Sequence, residues 1–148
     1  MSALSPFARK IRMLALEVGL ADRLEEVHVT VTPQTVNPQV GALNPLGKIP
    51  VLVRDDGEPL YDSPVIAEYL DSLHCGSPLI PVRGESRWRA LRHQALADGL
   101  MDAAVLLRYE TALRPQALRW DDWANGQQAK IEAALDELAV EVDALAES

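Results

Sequence analysis

Val51 to Leu73 reads VLVRDDGEPLYDSPVIAEYLDSL, and this stretch decides the fold class. Val51 to Arg54 is a short apolar strand, Asp55-Asp56-Gly57-Glu58 carries turn chemistry, and Pro59 to Tyr61 returns as the second strand of a hairpin. Pro59 has no N–H to give to a ladder, so it suits an edge strand. Ser63 is placed to cap a helix, and Pro64 follows at the first helical position, where a missing N–H costs nothing. Ile66, Ala67, Leu70 and Leu73 then form an inward stripe at helical spacing. A hairpin that runs straight into a helix is a building block of an α+β domain.

Upstream, Ser5 suits an N-cap, Pro6 the first helical position and Gly19 the C-terminal cap. Between them Phe7, Ile11, Leu14 and Val18 recur at helical spacing, with Arg9, Lys10 and Arg12 on the wetter side. Val27, Val29 and Val31 alternate with His28 and Thr30, the pattern of a strand with one buried face. Thr32 to Leu46 holds Pro33, Pro38, Gly41 and Pro45 and reads as a shaped loop with at most one short helical turn.

Downstream, His74 to Gly84 is rich in glycine and proline and marks a boundary. The spacing predicts a helix from about Glu85 to Thr111, a break at Pro115, and a last helix from about Trp120 to Ala146. Ile131, Leu135, Leu138, Val142 and Leu145 mark one face of that last helix. The expected organisation is a domain at residues 1–75, a linker at 76–84 and a helical domain at 85–148. The fold class is α+β with an attached helical layer.

The bulk composition narrows the function. The 148 residues, 48% hydrophobic and 24% charged, form an ordinary globular chain. A net charge of -8 speaks against nucleic acid or an anionic membrane as partner, because both require a basic surface. The single cysteine, Cys75, precludes an intramolecular disulfide and a multi-cysteine zinc site, and it fits a reducing compartment. The absence of a membrane-spanning apolar stretch or a signal-peptide core makes a cytoplasmic protein the expectation. His28, His74 and His93 lack metal-ligand spacing, no Gly-rich phosphate loop occurs, and no metal is expected.

Three segments, SPFARKIR at Ser5 to Arg12, NPLGKIPVL at Asn44 to Leu52 and LYDSPVIAEYLDSL at Leu60 to Leu73, resemble the signature segments of bacterial glutathione transferases. ALADGLMDAAVLLRYE, Ala95 to Glu110, resembles the first long helix of that family's C-terminal domain. The resemblance implies a thioredoxin-like N-terminal domain, glutathione as co-substrate and a homodimer. It also implies conjugation of the glutathione thiol to a small electrophile, a detoxification chemistry.

The site residues follow from that resemblance, and each has a plainer reading beside it. Ile49 before a cis Pro50 resembles the pair whose backbone meets the cysteinyl part of glutathione; Pro50 could otherwise simply start a strand. Asp62 and Ser63 resemble the acidic-serine pair that holds the γ-glutamyl end, where a helix start supplies N–H donors for a carboxylate. Ser63 would equally serve as a cap with no ligand. Lys48 matches a contact to the glycine carboxylate, and an exposed loop lysine is otherwise a solvated charge. Ser5 matches the serine of serine-type transferases, whose hydroxyl stabilises the glutathione thiolate, and a cap needs no substrate. Asp98 matches an acid that reaches glutathione bound by the neighbouring subunit.

Members of this family begin with a central strand leading into the serine, whereas only Met1 to Leu4 precede Ser5, and they carry further helices after the second long one. The expectation is therefore a domain whose first strand is largely missing, followed by a partial helical domain. Two functions compete: a glutathione transferase, or a noncatalytic dimerisation or interaction module on the same fold. A redox protein of the glutaredoxin kind is a third, weakened because Ser5 and Pro6 stand where its cysteine is needed.

Overall fold

The computed structural model of the chain describes residues 5–146, the last four as backbone. They divide into two compact units, the first ending at Ala90 and the second starting at Leu91. Helix α1 spans Pro6–Glu17, a 3-10 turn Ala21–Arg23, α2 Pro38–Leu43, β1 Leu52–Val53, β2 Pro59–Leu60 and α3 Ser63–Asp71. Helix α4 spans Glu85–Arg108, followed by a π-helical turn at Tyr109–Leu113, a 3-10 turn at Gln116–Leu118 and α5 at Asp121–Ala146.

In the first unit the core forms where α1 packs on α3. Ile11, Ala15 and Leu20 meet Ile66, Ala67 and Leu70, with Leu14, Val18, Leu52, Leu60 and Tyr69 around them. Alanines on both helices let the backbones approach, and the isoleucines and leucines fill the space between them. On α1 the buried stripe is Ala8, Ile11 and Ala15; it is turned slightly from the expected one, because small residues fit the closest approach. On α3 the expected stripe holds through Leu70, but Leu73 is 39% exposed because the helix ends at Asp71.

β1 and β2 pair antiparallel with Leu52 opposite Leu60 and Val53 opposite Pro59. The turn is closed by Arg54 N–H on Glu58 O (3.0 Å), Gly57 N–H on Arg54 O (2.9 Å) and Glu58 N–H on the Asp56 carboxylate (3.0 Å). Gly57 takes φ +85, the left-handed conformation such a turn requires.

The strand expected at Val27 to Val31 does not form among the described residues. Val29 and Val31 are half-buried between exposed His28 and Thr30, and Val27 is 62% exposed, so the alternation is seen in burial without a ladder beside it. A strand exists only by pairing, and the sole ladder among the described residues is β1 with β2. The first-strand stub falls on Met1 to Leu4, outside the described residues.

Beyond α3 the chain is tied back by one carboxylate. Asp71 Oδ1 accepts from Leu79 N–H (2.8 Å) and His74 Nε2 (2.9 Å), and Oδ2 accepts from Ile80 N–H (2.9 Å). Gly76 N–H donates to His74 Nδ1 (3.0 Å), so that nitrogen carries no proton and Nε2 is the donor to Asp71. Burial alone pushes the Asp71 carboxyl up. The hydrogen bonds from His74, Ile80 and Leu79, with the attraction of His74, outweigh it and hold the carboxyl below the ordinary range.

In the second unit the buried Glu110 carboxylate accepts from Trp120 N–H (2.8 Å) and Arg114 Nε (2.6 Å), closing the connection between α4 and α5. Helix α5 turns a different stripe inward from the expected one. Gln127 and Ala134 are buried and Ile131 and Leu138 half-buried, whereas Leu135 is 52% and Val142 58% exposed. Glu141 accounts for part of that turn, since it pairs with Arg92 and His93 of α4. The Leu145 side chain lies outside what is described.

Candidate functional site

The hairpin gathers the candidate residues of the first unit. Leu52 pairs with Leu60 and Val53 with Pro59, so Ile49-Pro50 leads into β1 and Asp62-Ser63 leaves β2 at the same, open end of the hairpin. The Ile49–Pro50 peptide is cis, as expected from the family resemblance; Tyr61–Asp62 is also cis. Pro50 is buried, Ile49 half-buried, and Lys48 exposed at the rim.

The segment leading into Lys48 is held by Asn44, which is 1% exposed. Its Oδ1 accepts from Leu46 N–H (3.0 Å), its Nδ2 donates to Lys48 O (2.9 Å), and its own carbonyl accepts from Gly47 N–H (2.9 Å). Gly47 has φ +63, and a Cβ there would stand 3.2 Å from Val36 Cγ1. The positive φ favours glycine at the end of this turn, and a Cβ would crowd the Val36 side chain.

Three helix starts in this unit carry proline in the first turn, and they differ in their caps. At α1, Ser5 is the N-cap and its Oγ accepts from Ala8 N–H (3.2 Å). At α2, Asn37 Oδ1 accepts from Gln39 N–H (2.9 Å) and Val40 N–H (3.3 Å). At α3 the N-cap is Asp62, not Ser63 as expected, and Asp62 makes no side-chain cap bond. The Asp62 side chain is exposed, and Ser63, already inside the first turn, is 1% exposed.

The partner of Ser63 comes from α1. Lys10 Nζ donates to Ser63 Oγ over a long 3.4 Å, which sets an ammonium beside the uncapped start of α3. The uncapped start of α3 contributes about half a positive charge and Lys10 a whole one, against the negative Asp62.

Asp98 belongs to the second unit, midway along α4 and half-buried. Among the described residues no group of His, Cys, Asp and Glu is arranged to hold a metal ion, and no helix is long and apolar enough to cross a membrane. Sequence reasoning singled out neither Lys10 nor Asn44, which the structure brings to Ser63 and to the Lys48 carbonyl. The Asn-Pro pair that opens Asn44 to Leu52 is a turn signal that could have singled out Asn44, whereas nothing local marks Lys10.

Known proteins share the sequence pattern and the fold of this chain. The family profile for the glutathione S-transferase N-terminal domain matches residues 4–73. A glutathione transferase family member from Pseudomonas fluorescens Pf-5, crystallised with bound glutathione, is 46% identical and superposes with a TM-score of 0.93, covering 97% of this chain and 71% of that one. A glutathione S-transferase from Methylobacillus flagellatus KT, also with glutathione bound, is 40% identical with a TM-score of 0.78, covering 93% of this chain and 66% of that one. The "Uncharacterized GST-like protein YibF" of Escherichia coli (strain K12) is 38% identical over 134 residues, 90% of this chain, which spans 64% of YibF. The small hairpin with its flanking helices is thus a thioredoxin-like domain and the remainder mostly helical, an α+β whole. With a cis proline, an acid-serine helix start and a serine-capped first helix on that scaffold, the chain belongs to the glutathione S-transferase family.

Proposed function

We propose that this chain binds glutathione and joins its thiol to a small electrophile. The observation that carries the reading is the α3 start, where Asp62 leaves the helix uncapped and Lys10 stands on the buried Ser63. That place suits the γ-glutamyl carboxylate, which would take first-turn N–H donors, the Ser63 hydroxyl and the Lys10 charge. The exposed Asp62 carboxylate faces the γ-glutamyl amino group, the Ile49 backbone meets the cysteinyl unit, and Lys48 meets the glycine carboxylate. Asp98 reaches the amino group of glutathione on the other copy in a homodimer. The setting is the cytoplasm, where thiols are kept reduced.

Ser5 has a dual part in this chemistry. Accepting from Ala8 N–H uses one lone pair of Oγ and leaves its hydrogen free to donate to the glutathione sulfur. An oxygen that already accepts a hydrogen bond is a better donor, and the α1 start adds positive potential. Both favour thiolate over thiol, and the displaced proton passes to water. The sulfur pair then forms the S–C bond, and the electrons of the breaking bond depart with the leaving group.

Isothermal titration with glutathione tests the binding, with saturable uptake at or below millimolar concentration as the expected result. No uptake would sink the proposal. Glutathione-dependent consumption of a panel of haloalkanes, epoxides and aryl ethers tests the transfer.

The alternative, a noncatalytic interaction module, finds support in exposed apolar side chains, with Trp88 and Trp120 at 63% and Leu118 at 66%. Sedimentation showing a monomer that conjugates efficiently would remove it.

A further inference from the structure

We propose that Asn44 is a positioning residue for the cysteinyl-glycine half of glutathione; this rests on the glutathione-binding reading above and adds to it a residue without ligand contact. The side chain sits at 1% exposure between α2 and the Lys48–Ile49 segment, and every polar group it has is engaged there. Its N–H donates to Val40 O (2.8 Å) at the end of α2, and its C=O accepts from Gly47 N–H (2.9 Å). The carboxamide accepts from Leu46 N–H (3.0 Å) and donates to Lys48 O (2.9 Å). A backbone N–H can only donate and a carbonyl only accept, so the amide orientation is fixed by its partners.

No other side chain fills this role. Aspartate keeps the bond from Leu46 N–H but sets a second anionic oxygen against the Lys48 carbonyl. Serine is too short to span both partners, and glutamine is a methylene too long for the turn. The bond to Lys48 O orients the peptide that joins Lys48 to Ile49, and with it both groups assigned to the cysteinyl-glycine half. The γ-glutamyl half depends on α3 and on Lys10, which Asn44 does not touch. A loss of Asn44 should therefore divide the ligand.

The test uses Asn44→Asp and Asn44→Ser, with binding by calorimetry to glutathione and to γ-glutamyl-methylamide, which lacks the cysteinyl-glycine portion. Thermal melts establish that each variant is folded at the assay temperature. The expected result is an affinity for glutathione lower by roughly tenfold or more, with affinity for the fragment unchanged within twofold. For Asn44→Asp the loss should shrink as pH falls through the carboxylate range, because a protonated carboxyl donates to Lys48 O again; Asn44→Ser should show no such recovery. Equal weakening of both ligands, or unchanged glutathione affinity in both folded variants, overturns the proposal. Wild-type protein that takes up neither ligand removes the glutathione-binding reading itself, a different outcome from a wild type that binds and variants that do not discriminate.

Discussion

Two Ser-Pro steps begin helices in the first unit, Ser5-Pro6 at α1 and Ser63-Pro64 at α3, and they look alike in the sequence. The structure gives the serines opposite duties. Ser5 stands outside its helix and closes it, through Oγ on Ala8 N–H. Ser63 stands inside its helix, buried, and accepts from Lys10 of another helix, while the true cap, Asp62, closes nothing. A self-capped start has spent one of its donors on its own chain, and an uncapped one keeps them for a ligand. Under the proposed function the pair would separate two tasks: a hydroxyl proton aimed at sulfur from α1, and an anion seat at α3.

The largest expected effect is on the Ser5 side. Ser5→Ala should lower kcat for conjugation by about 100-fold, the scale set by losing one donor to a developing anion, while glutathione affinity stays within a few-fold. Ser5→Gly separates chemistry from capping, since glycine costs a helix start only a few tenths of a kcal/mol. If Ser5→Gly conjugates like wild type, Ser5 is only a cap. A pH–rate profile of the wild type against Ser5→Thr, which keeps the hydroxyl, checks that the thiol is what titrates.

Next comes the far end of α3, which is closed as firmly as its start is open. Asp71→Ala leaves Leu79 N–H and Ile80 N–H without their carboxylate, and should cost about 2 kcal/mol in urea unfolding. The Asp71 carboxyl is held below its ordinary value in the folded chain, so its contribution is fully present above about pH 4 and is lost as pH falls through the folded value. The stability difference between wild type and Asp71→Ala should be level from pH 7 to about pH 5 and shrink below about pH 4. A difference that grows on acidification would contradict the hydrogen-bonded geometry.

On the ligand side of α3, Ser63→Ala should weaken glutathione by roughly tenfold, the share of one charge-assisted hydrogen bond, with kcat preserved. Titration of Ser63→Ala and Ser5→Ala side by side gives the split directly. Equal changes in Kd and kcat for both serines would erase the distinction between the two starts.

Much of this architecture was legible because it is local. The Ser5 cap, Gly19, the Asp-Asp-Gly-Glu turn and the extents of α1, α4 and α5 follow from neighbours a few residues apart. Val27 to Val31 failed because a strand needs a partner that alternation cannot supply. The α5 face was misjudged because Glu141, polar in sequence, turns inward to meet Arg92 and His93, leaving Leu135 and Val142 outside. Lys10 was read as solvated for the same reason: its value comes from Ser63, 53 residues away. Side chains whose role depends on distant partners carry no period.

The smallest effect sharpens the contrast most. Asp62 occupies the N-cap of α3 without making a cap bond, so Asp62→Ala should leave the unfolding midpoint nearly unchanged, whereas Ser5→Ala should cost about 1 kcal/mol. Its remaining service to stability is a negative charge near the helix dipole, worth about 0.3 to 1 kcal/mol at most and offset by the Lys10 ammonium nearby. With glutathione present, the exposed carboxylate would pair with the γ-glutamyl amino group in water, which limits its share to a few-fold in affinity. Salt should separate the cases further, because a screened exposed pair fades toward molar ionic strength while a buried hydrogen bond at Ser63 persists. Calorimetry on Asp62→Ala and Ser63→Ala across that range should therefore show the first deficit vanishing and the second holding.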